Sequence, residues 1–308
     1  MMAILMIIIL TAILLWGASF AYRLAFYSKN ASEQDIYAIP PGEQYEKVAD
    51  RLLQQIVELE NLPYEQVYIT SHDGLKLAAR YYHHRDNAPL LIQFHGYRGC
   101  AVREFSGCSS MVVREGYNAL VVDQRAHGLS GGHTISFGIK ERYDCKSWVE
   151  YACERFGSDV KIVLSGVSMG AATVLMASDL ALPRNVRCIV ADCAYSSPGK
   201  IIRKVCRNVK LPDWLLYPFV ALGAFLFGRF KIWESSALES VKKTNIPIML
   251  IHGEDDRFVP CDMSREIYAC CNGDKKLITI PTAGHGICYH VDTPRYEKEF
   301  LKFIKLHV

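Results

Sequence analysis

The sequence predicts an α/β fold: a mostly parallel, eight-stranded sheet with helices on both faces, one long helical insertion and an apolar N-terminal helix. Three observations carry this. Short apolar runs of strand length alternate with helical stretches from Tyr64 to the C-terminus, and near-continuous apolar strands belong to sheets buried on both sides. More than fifty residues, 193–245, separate two of those runs, too many for an ordinary connection. The first 22 residues, Met1 to Tyr22, carry no charged side chain.

Taken as a helix, Met1–Tyr22 reaches roughly 33 Å, enough for a bilayer core of about 30 Å. It reads as an uncleaved anchor. A signal peptide cleaved near Ser19-Phe20-Ala21 is the rival, disfavoured because no Lys or Arg precedes the run and the run exceeds an ordinary signal core. Arg23 and Lys29 follow it, which by the positive-inside tendency puts the large C-terminal part in the cytoplasm. Eleven cysteines without a C-x-x-C suit free thiols in a reducing compartment. Asn30-Ala31-Ser32 is an isolated glycosylation sequon.

Residues 23–63 read as a linker, with Pro40-Pro41, followed by an amphipathic helix over Glu43–Glu60 with Tyr45, Val48, Leu52, Ile56 and Leu59 on one stripe. Gln66–Thr70 and Leu75–Tyr82 flank Asp73-Gly74 as a hairpin. Further strands are expected at Leu90–Phe94, Ala119–Val122, Lys161–Leu164, Cys188–Ala191, Ile246–Ile251 and Leu277–Ile280, with helices at Glu141–Arg155 and Met263–Cys271. A main domain thus spans 64–308. Inside its insertion, Trp214–Phe230 has one charged residue in seventeen and reads as an apolar lid or, failing that, an interfacial membrane helix.

The net charge of +3 and the lack of a basic stripe interleaved with aromatics argue against a nucleic-acid partner. No nucleotide-binding glycine pattern and no His/Cys metal spacing occurs among ten histidines, so no cofactor or metal is expected.

The chemistry centres on Gly166-Val167-Ser168-Met169-Gly170. A strand precedes this G-x-S-x-G and an Ala-rich helix follows, the context in which such a serine is displayed on a tight turn. A serine hydroxyl needs a base and a group that orients the base. Asp256 and His285 follow the last two expected strands, so all three lie beyond strand C-termini, the ligand-binding edge of a parallel sheet. Asp255 is the alternative acid. The order Ser168, Asp256, His285 is that of a nucleophile elbow with its acid and base.

With Phe94-His95-Gly96-Tyr97 and Asp123-Gln124-Arg125-Ala126-His127-Gly128 in the same order, the chain resembles the α/β-hydrolase superfamily. Its nearest likeness is the serine-aminopeptidase and monoglyceride-lipase-like branch, including bacterial membrane-anchored relatives. The resemblance implies an oxyanion hole from the N–H groups of Tyr97 and Met169, and structural roles for His95, His127 and His252. It departs at Ala126, where the family's loop has glycine; the change is mild unless that residue is left-handed. The expected function is a serine hydrolase cleaving esters of apolar acyl groups through an acyl-enzyme. A peptidase or amidase on the same fold, or a non-catalytic membrane-tethered binding protein, are the alternatives.

Overall fold

A computed structural model describes residues 1–29, 35–208 and 212–308; the sequon at Asn30 lies outside them. The chain begins with α1 (Met2–Ala25), then α2 (Glu43–Glu46) and α3 (Ala49–Glu60). The hairpin β1 (Glu65–Thr70) and β2 (Lys76–Tyr82) leads to β3 (Leu90–Phe94), α4 (Ala101–Arg114), β4 (Asn118–Asp123), α5 (Glu141–Phe156), β5 (Ile162–Val167), α6 (Met169–Ala177) and β6 (Val186–Asp192). The insertion holds α7 (Pro198–Asn208), α8 (Asp213–Gly223), a π-helical turn (Ala224–Gly228) and α9 (Ala237–Ser240). β7 (Ile248–Gly253), α10 (Cys261–Cys270), β8 (Lys275–Ile280), α11 (Cys288–Val291) and α12 (Thr293–His307) complete it.

The eight strands form one sheet in the order β1-β2-β4-β3-β5-β6-β7-β8. The first two run antiparallel to their neighbours, and β4 through β8 are parallel. Side-chain alternation along each strand divides the core in two. Leu90, Ile92 and Phe94 face the layer containing α5 and α6, whereas Leu91 faces the layer containing α3, α4 and α12. Strand order reverses between β4-β3 and β3-β5, so the C-terminal ends of β3 and β5 border the crevice where open sheets bind ligands.

Three local features differ from the sequence reading. The stripe from Tyr45 to Leu59 is broken: α2 ends at Glu46 and α3 starts at Ala49, with Val48 at φ −114° between them. The Tyr45 hydroxyl donates to the His285 carbonyl at 3.0 Å, so the first turn follows that loop, and Leu52, Ile56 and Leu59 follow the core. The N-terminal helix continues past Tyr22 to Ala25, with Arg23 in its last turn, where a cation suits the helix dipole. Ala126 has φ +63° and is fully buried; it is left-handed after all, a conformation that costs an L-residue about 1–2 kcal/mol.

The end of α1 is built into the domain. Phe26 is fully buried, its ring edge-on to Phe137 and Phe230, and Tyr27 bridges to Thr134. Higher up, Gly17 faces the Phe219 ring so closely that a Cβ would lie 2.7 Å from it, and Gly223 of α8 sits on the Ala18 carbonyl. Small residues at such positions let two helix backbones approach. Residues Met1 to Leu15 project with their apolar side chains exposed. This helix, Met2–Ala25, is long and apolar enough to cross a membrane.

Candidate active site

The turn after β5 is shaped by two glycines. A Cβ on Gly166 would overlap Gly170, and a Cβ on Gly170 would overlap the Phe94 carbonyl at the end of β3. This close packing holds Ser168 at φ +55°, a conformation costing of order 1–3 kcal/mol that recurs at functional turns. The Ser168 N–H donates to the Asp192 carbonyl at 2.8 Å, which ties the turn to the end of β6.

Ser168, His285 and Asp256 are brought together. The Ser168 Oγ lies 2.9 Å from His285 Nε2, and His285 Nδ1 lies 2.7 Å from Asp256 Oδ2. The other carboxylate oxygen, Oδ1, accepts the N–H groups of Phe258 (2.9 Å) and Val259 (2.8 Å). The geometry suits the tautomer in which Nδ1–H donates to the carboxylate and Nε2 accepts from the serine hydroxyl. Asp255, the alternative acid, is exposed. Burial works to raise the Asp256 pKa, but hydrogen bonds from His252 and His285 and their charges bring it down to about 2.

Met169 opens α6, so its N–H is among the donors left unpaired by the helix and lies at the positive end of the dipole. The loop after β3 lies against the serine: a Cβ on Gly96 would be 3.4 Å from the Ser168 Cβ. The Gly96 N–H is taken by Glu104 Oε2 at 2.6 Å, and Tyr97 follows, its hydroxyl donating to the Ala25 carbonyl at 2.9 Å. The three motif histidines bond to backbone. His95 accepts the Gln124 N–H, His127 accepts the Arg98 N–H, and His252 lies 2.9 Å from the Val259 carbonyl. Arg125 is clamped by Asp144 and Asp73, which fixes the loop carrying Ala126.

A family model described as X-Pro dipeptidyl-peptidase (S15 family) matches residues 61–210, and one described as serine hydrolase (FSH1) matches 163–288. The esterase Pf2001 of Pyrococcus furiosus superposes with a TM-score of 0.64 at 25% identity, covering 82% of this chain and 93% of that one. The chain is an α/β-hydrolase. Among curated relatives of this hydrolase, YqkD of Bacillus subtilis is 24% identical over 96% of the chain and 94% of its own length. The bifunctional esterase/perhydrolase DCH of Acinetobacter calcoaceticus is 23% identical over 77% of the chain and 99% of its own. These likenesses support hydrolase activity.

In this α/β-hydrolase a cavity of about 530 Å³ reaches Ser168, within the roughly 300–1,000 Å³ of ligand pockets. Its described walls carry no charged side chain: Tyr97, Phe137, Tyr195 and Phe258 surround the serine, and α7, α8 and α1 supply the rest. A larger cavity, about 1130 Å³, is lined by Tyr64, Asn118 and Val160, at the opposite, N-terminal ends of the parallel strands.

Several residues of the hydrolase that support this region are silent in the sequence. Glu104 is half-buried, its carboxyl pushed up by desolvation despite the Gly96 amide. Tyr45 and Gln44 brace the loop of His285, the latter against Gly284. Cys193 offers its sulfur within 4.8 Å of Asp256 and His285 donor atoms, a spacing a metal could use, but burial and the neighbouring Asp192 and Asp256 charges hold its thiol well above the usual range. A buried carboxylate-histidine pair seldom announces its neighbours in sequence; only the acid-turn pattern around Asp256 did so.

The depressed Asp256 pKa sets a pH effect on stability. An acid whose folded pKa lies below its unfolded value stabilises above the unfolded pKa, and the gain disappears as pH falls from about 4 to about 2. At neutral pH the contribution is on the order of 2 kcal/mol. Urea unfolding of the native protein and Asp256→Asn between pH 7 and pH 3 is expected to show a stability gap that narrows below pH 4; a gap constant with pH contradicts the assignment.

Proposed function

We propose that this hydrolase cleaves carboxylic esters with apolar acyl groups, with Ser168 as nucleophile, His285 as base and Asp256 as the group orienting it. The observation that carries the reading is the continuous chain from Ser168 Oγ through His285 to Asp256, at 2.9 and 2.7 Å, opening into a cavity without charge among its described walls. As the hydroxyl attacks the ester carbonyl, its proton passes to His285 Nε2, and Asp256 stabilises the imidazolium. The oxyanion falls to the N–H groups of Met169 and Tyr97, typically worth about 3–4 kcal/mol per donor. His285 protonates the leaving alcohol; water then attacks the acyl-enzyme by the same route and releases the acid.

The match to a dipeptidyl-peptidase family model over 61–210 gives the peptidase reading its support. A peptide with a free amino terminus calls for an anionic partner, and the described cavity walls supply none. Comparing a butyryl p-nitrophenyl ester with an X-Pro p-nitroanilide is expected to give kcat/KM at least about 100-fold higher for the ester, or some 2.7 kcal/mol of discrimination. The reverse preference establishes the peptidase, and turnover of neither above the Ser168→Ala background establishes the binding-protein reading.

In this proposal residues 64–308 form the catalytic domain, 193–245 its cap, and Met1–Tyr22 a retained anchor. Cleavage after Ala21 would remove Ala18, fully buried against α8, which favours retention over a signal peptide. Arg23 and Lys29 after the helix favour a cytoplasmic domain.

A further inference from the structure

An anchor has only to be long and apolar, and α1 does more than that. Its first half, Met1 to Leu15, projects from the protein with exposed side chains. Its second half enters the wall of the cavity that reaches Ser168: Trp16, Gly17, Phe20, Ala21 and Leu24 line it opposite Phe219 and Val220 of α8. The helix that would lie in lipid and the wall of the ester site are thus one segment.

The surface around this seam is apolar on the outside as well. Trp214 and Leu215 at the start of α8, and Phe225, Leu226 and Phe227 on the π turn, are all substantially exposed. Exposed apolar area of this kind marks a membrane or protein contact. The polar limit of the patch falls at the C-terminal end of α1. There Tyr22 bonds Thr134 at 2.7 Å, and Arg98 donates to the Leu24 and Tyr27 carbonyls. Aromatic and basic side chains at a helix end belong at the membrane–water boundary. With α1 spanning a bilayer, Ser168 therefore sits near that boundary, where the ester groups of lipids lie, and the α1–α8 seam sits among the acyl chains of the adjoining leaflet.

We propose that α1 is a wall of the substrate site, and that the cavity receives the acyl chain of a bilayer ester lipid laterally, between α1 and α8, from the leaflet next to the catalytic domain. This rests on the assignment of Ser168 as the nucleophile of an ester hydrolase. It explains why Gly17 and Gly223 bring α1 and α8 close together while Ala21 and Leu24 of α1 line the cavity that reaches Ser168. It also makes the helix indispensable to specificity: replacing it with an unrelated membrane span would keep the location and remove one side of the pocket.

The test uses the full chain reconstituted in phosphatidylcholine vesicles and a fluorophosphonate bearing a long alkyl chain with a terminal diazirine. After reaction and illumination, peptide mapping is expected to find the phosphonate on Ser168 and the photo-adduct on residues 13–25 of α1 or 216–220 of α8. Attachment to Ser168 with photo-adducts only elsewhere overturns the lateral pocket and leaves the esterase reading intact. No attachment to Ser168 overturns both. In parallel, Ala21→Trp, which fills the α1 side of the cavity, is expected to lower the ratio of dodecanoyl to acetyl ester kcat/KM at least about tenfold; an unchanged ratio in a folded variant contradicts the proposal. Should the variant fail to fold, the cross-link on the native chain decides.

Discussion

Ser168→Ala is expected to lower kcat for a short acyl ester by at least about 10⁴-fold while leaving thermal stability within a few degrees of the native protein. The size follows from removing the oxygen proposed to attack: with the hydroxyl gone, His285, 2.9 Å from it in the native protein, has no proton to take, and only positioning and the amide donors remain. The fold is indifferent because alanine meets the same cost as serine at φ +55°, and the turn is tied by the Ser168 N–H to Asp192, which alanine keeps. Ester kinetics with a parallel melting curve check both halves. Residual turnover within tenfold of the native rate contradicts the role given to this residue.

Gly170→Ala is expected to do the opposite, destabilising by about 3 kcal/mol or more and abolishing activity as a consequence. Its Cβ would overlap the Phe94 carbonyl. That oxygen belongs to β3, which is paired to β5 and β4 at the middle of the sheet, so it cannot retreat without moving the core. Relief by shifting α6 away would carry Met169 and its N–H with it. A urea midpoint close to the native value would show that the contact is softer than the backbone geometry implies.

The strands and the site were legible in the sequence for related reasons. Runs such as Leu90–Phe94 and Cys188–Ala191 are buried on both faces, so their composition alone marks them, and the residues that end them fall on one edge. The G-x-S-x-G and the turn holding Asp256 carry their constraints locally, in glycines and in two consecutive backbone donors. What stayed hidden depends on contacts and backbone angles that no local pattern marks. Nothing near Glu104 indicates that its carboxylate will accept the Gly96 N–H. The helical stripe through Tyr45 gives no sign of the break that lets its hydroxyl reach the His285 carbonyl. Ala126 looked like a mild replacement because φ is not written in a side chain.

The N-terminal helix is the clearest case. Every position from Met1 to Tyr22 is uncharged, so no face is singled out, and periodicity cannot say which side meets the protein. Gly17 and Ala18 acquire meaning only when Phe219 and Gly223 are set against them. The insertion was legible as apolar, but Pro218 inside α8 and the π turn that ends at left-handed Arg229 follow from packing rather than from the run itself.

Attack by Ser168 on the ester is tested by treating the purified full chain with a fluorophosphonate, digesting it, and locating the adduct by mass spectrometry. A single phosphonyl group is expected on the peptide containing Ser168, lost in Ser168→Ala and strongly slowed in a His285→Ala variant. An adduct on another residue, or ester turnover that continues in protein fully modified at Ser168, contradicts attack by this serine.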